Sequence, residues 1–339
     1  IADTFYLTIN PTPNVYNPGN QELCANDQTN DIIFFGDLSG TSFDWNNTNS
    51  SIGISGPQSG DILSFTALNS SNIAQTDTIT VTPSLNGCFG FDSTFVITVN
   101  PVSTVNVNDF EYCHGDVTTA INFSGNNPAS TFDWTNPNIT ISAAQNIING
   151  VNTVPSFTAN NTSLVNQVAN FHVIPMLQTG SMNCPGDTSF FSITVKPIPT
   201  VITPTDIVLC SGQNTGTIIW DGNMADSTTF DWTNNNTSIG LGASGVDTIF
   251  SFTVSNISQL IQTAIITVTP SLNGCTGSDS TLSITVNPVT IVNTVNDTVC
   301  AGDYVDTITF TSPNVGTTFD WDAQNISIGI EIIIKNRFP

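Results

Sequence analysis

Positive charge is almost missing from this chain. Of 339 residues only Lys196, Lys335 and Arg337 are basic, against 26 acids, for a net charge of −23. A nucleic-acid face needs clustered cations, and so does a polybasic membrane-surface patch, so both partners are excluded. Histidine is nearly absent too: His114 and His172 stand at non-equivalent positions and in no motif. No cysteines lie at the close spacing of a zinc site. No apolar run reaches the roughly 18 residues of a membrane-spanning helix. Residue 1 is Ile and opens no signal peptide, which points to a mature product or an excerpt. The usual helix-surface residues (Glu, Lys, Arg, Gln, Ala) are scarce, which argues against helices.

What is abundant is Asn, Thr, Ser and Gly, mixed with Phe, Ile and Val; hydrophobic residues make up 39%. That is the composition of short strands and tight turns around small cores. One stretch organises the chain. Thr41-Ser-Phe-Asp-Trp45 returns as Thr131-Phe-Asp-Trp134, Thr229-Phe-Asp-Trp232 and Thr318-Phe-Asp-Trp321, at tryptophan spacings of 89, 98 and 89 residues. A fixed period of that length marks one folded unit repeated in tandem.

Other positions fall into register with the tryptophan. Each unit opens on a cysteine: Cys24, Cys113, Cys210 and Cys300. A short apolar run follows, ending in Phe35, Phe123, Trp220 or Phe310. After the tryptophan come an alternating strand ending in Pro83, Pro175 or Pro270 and a turn with a second cysteine, Cys88, Cys184 or Cys275. Each complete unit closes on a strand that ends in Pro101, Pro197 or Pro288. About seven short, period-two runs per unit predict an antiparallel sandwich. The expected divisions are 1–11 as the closing strand of a preceding repeat, sandwiches at 12–101, 102–197 and 198–288, and an incomplete repeat at 289–339. Residues 331–339 leave the pattern and read as a truncated or misread terminus.

The regular cysteines predict one disulfide inside each repeat: Cys24–Cys88, Cys113–Cys184 and Cys210–Cys275, with Cys300 unpaired by truncation. Each would close a loop of 64 to 71 residues. Such bonds place the chain in an oxidising, extracellular or cell-surface setting. Antibody domains differ, because their cysteines lie mid-strand around the tryptophan.

A Cys opener, a Thr-Phe-x-Trp strand, the turn Thr82-Pro-Ser-Leu-Asn-Gly-Cys88 and a closing Thr98-Val-Asn-Pro101 strand resemble the PKD-like, immunoglobulin-like repeats of Bacteroidota cell-surface proteins. The likeness recurs along nearly the whole chain. It is weakest in the middle unit, which reads Leu177-Gln-Thr-Gly-Ser-Met-Asn-Cys184 at the turn. The resemblance implies a tandem array of seven-stranded immunoglobulin-like (PKD-like) β-sandwiches. It also implies a secreted surface stalk or fibre similar to gliding adhesins, and it identifies no ligand.

Candidate chemistry is sparse. Asp44, Asp133, Asp231 and Asp320 recur, but alternation turns them away from the Phe and Trp that flank them, towards solvent or a turn. Calcium at the junctions between repeats stands as a minor alternative to no cofactor, since it would need clustered carboxylates and no Asp-x-Asp-x-Asp run occurs. Trp45, Trp134, Trp232 and Trp321 read as core, not as a sugar platform. No Ser/His/Asp set is specified, so the chain reads as non-enzymatic and without a cofactor. Isopeptide crosslinks need a lysine per domain, which only Lys196 supplies in the complete units. Asn-x-Ser/Thr sequons include Asn69, Asn138, Asn236 and Asn256. Asp-Ser/Thr triplets that look like a Bacteroidota O-glycosylation motif nominate Thr78, Ser93, Thr248, Ser280, Thr298 and Thr307. The expected partners are copies of the chain, neighbouring repeats, surface glycans or a substratum, with no membrane insertion. Two other readings stand beside the stalk: a self-assembling filament or sheath subunit, and spacer modules of a larger secreted enzyme.

Overall fold

The computed structural model describes residues 3–142, 147–180, 182–324 and 326–328. Residues 331–339 lie outside that set. Strands dominate, and the helical pieces among the described residues are single 3-10 turns such as Ser50–Ile52 and Thr237–Ile239. The chain divides into two compact units, Ile1–Pro197 and Ile198–Pro339.

The unit Ile1–Pro197 contains two sandwiches with separate cores. In the first, the strand Gln75–Leu85 alternates strictly, burying Asp77, Ile79, Val81 and Pro83 and turning its threonines outward. It pairs antiparallel with Ser93–Asn100 on one side and Ser42–Asn47 on the other. The hairpin to Cys88–Phe89 turns at Asn86-Gly87, both with positive φ (50° and 79°), as a two-residue hairpin loop requires. The core gathers Ile32, Phe34, Trp45, Ile79, Val81, Phe95 and Ile97. The second sandwich repeats this plan with Thr131–Thr135, Gln167–Thr179 and Ser189–Lys196 around Trp134, Phe171 and Ile193.

The unit Ile198–Pro339 holds a third sandwich of the same design. Its sheet is built on Thr229–Asn234, Gln262–Leu272 and Ser280–Asn287, over Trp220, Trp232, Ile266 and Ile284.

Each sheet has a parallel edge that alternation does not reveal. The opening strand Gln21–Cys24 runs parallel to Ser93–Asn100, with Cys24 beside Asn100. Phe110–Cys113 and Ile207–Cys210 do the same in the later repeats. The two partners open and close the same repeat, far apart in sequence, so no hairpin forces them antiparallel. The facing layer is looser than seven regular strands would suggest. Ile32↔Ile62 and Gln28↔Thr66 meet as isolated bridges, and Ile218↔Ile249 and Asn214↔Thr253 repeat them.

Residues 3–11 form no strand here, and Phe5, Tyr6, Leu7 and Ile9 are exposed. One expectation about the core is corrected. Trp321 is 46% exposed and is not a core residue like its counterparts. Its ring centroid sits 6.5 Å from that of Phe310.

Candidate functional site at the junction between repeats

The sheet register decides where each cysteine lies. Cys24 stands beside Asn100, and neighbouring Val99 pairs with Gln75, at one end of the strand Gln75–Leu85. Cys88 pairs with Leu85, at the other end. At about 3.3 Å per residue, that strand separates the two cysteines by about 30 Å. A disulfide needs Cα atoms within about 7 Å. The same arrangement holds for Cys113 and Cys184, and for Cys210 and Cys275, each pair at opposite ends of its long strand.

The expected bonds Cys24–Cys88, Cys113–Cys184 and Cys210–Cys275 are therefore not formed. Cys24 bonds instead to Cys184 of the following repeat, with a Cα–Cα distance of 5.4 Å and a sequence separation of 160. Both sulfurs are buried residues, and the Cys24 Sγ lies 3.7 Å from the Asn183 carbonyl. Cys113 and Cys275 are also disulfide-bonded. Cys88, Cys210 and Cys300 are free thiols.

A tight turn presents each opening cysteine. The Cys24 N–H donates to Asp27 Oδ2 (3.2 Å), the Cys113 N–H to Asp116 Oδ2 (2.8 Å) and the Cys210 N–H to Gln213 Oε1 (2.7 Å). The residue two beyond each cysteine has positive φ: Asn26, Gly115 and Gly212.

The linker beside the Cys24–Cys184 bond is pressed against two glycines. A Cβ on Gly186 would come 1.8 Å from the Ser103 carbonyl oxygen, and one on Gly125 would come 1.9 Å from that of Thr104. Ser103 is buried and shares a hydrogen bond with Ser130. Asn127 Nδ2 donates to the Asn72 carbonyl (3.1 Å), tying the second repeat to the first. Within the unit Ile198–Pro339, Asn314 Nδ2 makes the counterpart bond to the Gln259 carbonyl (3.1 Å).

The sequons have a structural task. Asn256 Nδ2 donates to the carbonyls of Leu260 (2.9 Å) and Val286 (2.8 Å), while its Oδ1 accepts from the Ser258 N–H. Asn69 and Asn161 repeat all three bonds. These Asx turns pin the loop ahead of each long strand to the closing strand. Asn138 and Asn236 cap 3-10 turns, and their Nδ2 atoms donate to the carbonyls of Val168 and Thr263. The signal was present in the sequence: Asn-x-Ser-x-apolar-x-Gln recurs at 69–75, 161–167 and 256–262.

The remaining candidates scatter. Asp44, Asp133 and Asp231 are exposed strand residues, with Asp44 accepting from Ser59 Oγ, and Asp320 is exposed as well. Among the described residues no group of three or more His, Cys, Asp or Glu gathers to hold a metal. Asp77 is fully buried and accepts from Asn47 Nδ2, from the backbone and hydroxyl of Thr48, and from the Asn49 N–H. Thr78 beside it lies within a paired strand, Ser93 and Ser280 begin closing strands, Thr248 is half-buried, and Thr298 and Thr307 are exposed. His114 Nδ1 accepts from the Asn161 N–H (3.0 Å), a place taken by Ser211 Oγ in the third repeat, which makes it a loop tie. His172 packs edge-on against Phe190. Lys196 forms a salt bridge to Glu111 at 2.7 Å. Trp45, Trp134 and Trp232 are buried.

Two titrations are shifted. The Asp109 carboxylate accepts from the backbone and hydroxyl of Ser192, which lowers its pKa. Tyr16 is raised by its hydrogen bond to Asp37 and by the carboxylate's charge.

Residues 21–103 match the family model of the PKD-like domain. The fold of the chain is accordingly all-β, a tandem arrangement of immunoglobulin- and PKD-like sandwiches. Similar solved structures include a complex of Dpr2 Ig1-Ig2 with DIP-Theta Ig1-Ig3, at 11% identity and a TM-score of 0.35, covering 82% of this chain and 100% of that one. Mouse Cadherin-23 EC22-24 is similar at 7% identity and a TM-score of 0.30, covering 83% and 100%. The human Desmocollin-1 ectodomain follows at 11% and 0.28, covering 86% of this chain and 65% of that one. No curated protein matches. No helix among the described residues is long and apolar enough to cross a membrane.

Proposed function

We propose that this chain is a length of an extracellular structural and adhesive repeat protein, serving as a cell-surface stalk or fibre. The observation that supports it is the Cys24–Cys184 bond, which joins the end of one sandwich to the next instead of bracing a single core. A bond so placed resists separation and bending of adjacent modules. It also calls for an oxidising compartment. The acidic, Asn- and Thr-rich coat keeps a long array soluble. The exposed hydroxyls of Thr298 and Thr307 are the best placed of the nominated glycan sites. The partners in this reading are neighbouring repeats, further copies, and surface glycans or a substratum.

Two measurements on native material test it. Protease treatment of intact cells should release the chain, and negative-stain microscopy should show threads of beads at sandwich spacing. Protection until the cells are lysed would sink the extracellular reading. A regular helical lattice would replace the stalk by a filament subunit. A catalytic domain on the same native polypeptide would make these repeats spacers.

A further inference from the structure

The Cys24–Cys184 bond opens a second covalent route through the unit Ile1–Pro197. We infer that this route is a load-bearing thread. Under tension the two-sandwich unit carries force from end to end without unfolding, while both cores hang unloaded on a closed loop. The inference rests on the stalk reading for the source of that tension.

Four observations carry it. Residues 13–24 cross the first sandwich from one end to the other. The Pro13 carbonyl is seated against Gly90, beside the Cys88 turn. Asn17 Nδ2 donates to the Thr94 carbonyl (2.7 Å) and the Val96 N–H donates to Asn20 Oδ1 (2.8 Å), after which Gln21–Cys24 runs parallel to the closing strand as far as Asn100. Residues 184–196 cross the second sandwich in the same sense. Cys184 pairs with Leu177, Ser189 with Val173 and Val195 with Gln167, from one end of the long strand to the other. The bond then joins the far end of the first crossing to the near end of the second, at a Cα–Cα distance of 5.4 Å. Finally, most of both cores lies within the bypassed residues 25–183: Trp45, Ile79 and Phe95 of the first sandwich, and Trp134, Phe171 and Val173 of the second.

Force follows the shortest covalent route. Without the bond it would run through every residue and pull each sandwich open strand by strand. With the bond, tension enters near Pro13, leaves the first sandwich at Cys24, passes to Cys184 and exits beyond Lys196. Both crossings keep step, almost residue for residue, with the strands beside them, so both are already extended. A strand rises about 3.3 Å per residue against a limit of about 3.6 Å, which leaves the thread little length to give. The unit is thereby a link of fixed length, and its small cores need supply no mechanical strength.

The test pulls the full chain in optical tweezers between handles on azide-bearing residues that replace the exposed Thr12 and Thr200. With the bond intact the handles should stop about 100 Å apart, the stretched length of residues 12–24 and 184–200. Reductant, or Cys24→Ser, should release about 550 Å more, the length of the 160-residue loop. An oxidised chain that lengthens past about 100 Å would overturn the inference, and so would a reduced chain that stops at the same place. Protease release from intact cells tests the stalk reading separately, because it bears on where tension arises and not on the route tension takes.

Discussion

Trp232 and Gly245 face one another across an antiparallel strand pair, and the indole occupies the space where a side chain at 245 would begin. A Cβ there would stand 2.3 Å from ring atom Cζ2. Trp134 and Gly150 repeat the relationship at 2.7 Å. The recurring tryptophan is thus fixed from outside its core by a glycine on the neighbouring strand.

Replacing that glycine should displace the indole. Gly245→Ala is expected to cost about 1–3 kcal/mol, the usual range for overpacking a filled site. Denaturant unfolding followed by tryptophan fluorescence would report it. An unchanged midpoint would show that the indole has room to move.

Asn256→Ala should cost about 1–3 kcal/mol, since it removes the amide donor to the carbonyls of Leu260 and Val286, the latter bond being buried. The same bonds occupy both amide protons at Asn69 and Asn161. Intact-glycopeptide mass spectrometry should therefore find all three unmodified, and a glycan on any of them would contradict the structural role.

Asp109 predicts a pH dependence of known sign. Its folded pKa is lowered, so its contribution is fully present above the ordinary carboxylate value and is lost as pH falls through the lowered one. Carbon-detected NMR should show its carboxyl titrating below that of an exposed aspartate. Asn20 accepts the same kind of bond from the Val96 N–H in the first repeat. Asp109→Asn should therefore keep the fold and remove only the pH-dependent part.

Reduction should separate two kinds of stability. The clusters around Trp45 and Trp134 contain neither Cys24 nor Cys184. Reduced protein should keep its far-ultraviolet spectrum and its buried tryptophan emission. Cys24→Ser opens a 160-residue loop, worth up to about 5 kcal/mol in the chain-entropy view. A fall in the thermal midpoint of the two-sandwich unit, without loss of strand content, is the expected reading.

Much of the fold was legible because period-two alternation and a recurring Phe-Asp-Trp need no partner to be recognised. The strand Gln75–Leu85 shows every inward and outward position in its sequence. The parallel edge was not legible, because nothing within Gln21–Cys24 records the direction of the strand it joins. The disulfide partner was hidden for a different reason. In a tandem repeat, spacing is equally regular whether Cys24 reaches the second cysteine of its own unit or of the next. Only strand length, which puts Cys24 and Cys88 at opposite ends of the sheet, separates the two. The sequons are ambiguous in sequence because Asn-x-Ser is at once a glycan acceptor and the sequence of an Asx turn.

A bond that reaches from Cys24 into the neighbouring module also bears on inheritance. Because Cys24 and Cys184 belong to different repeats, a mutation of Cys24 strands a thiol at Cys184 in the next one, so a single codon change is felt by two repeats.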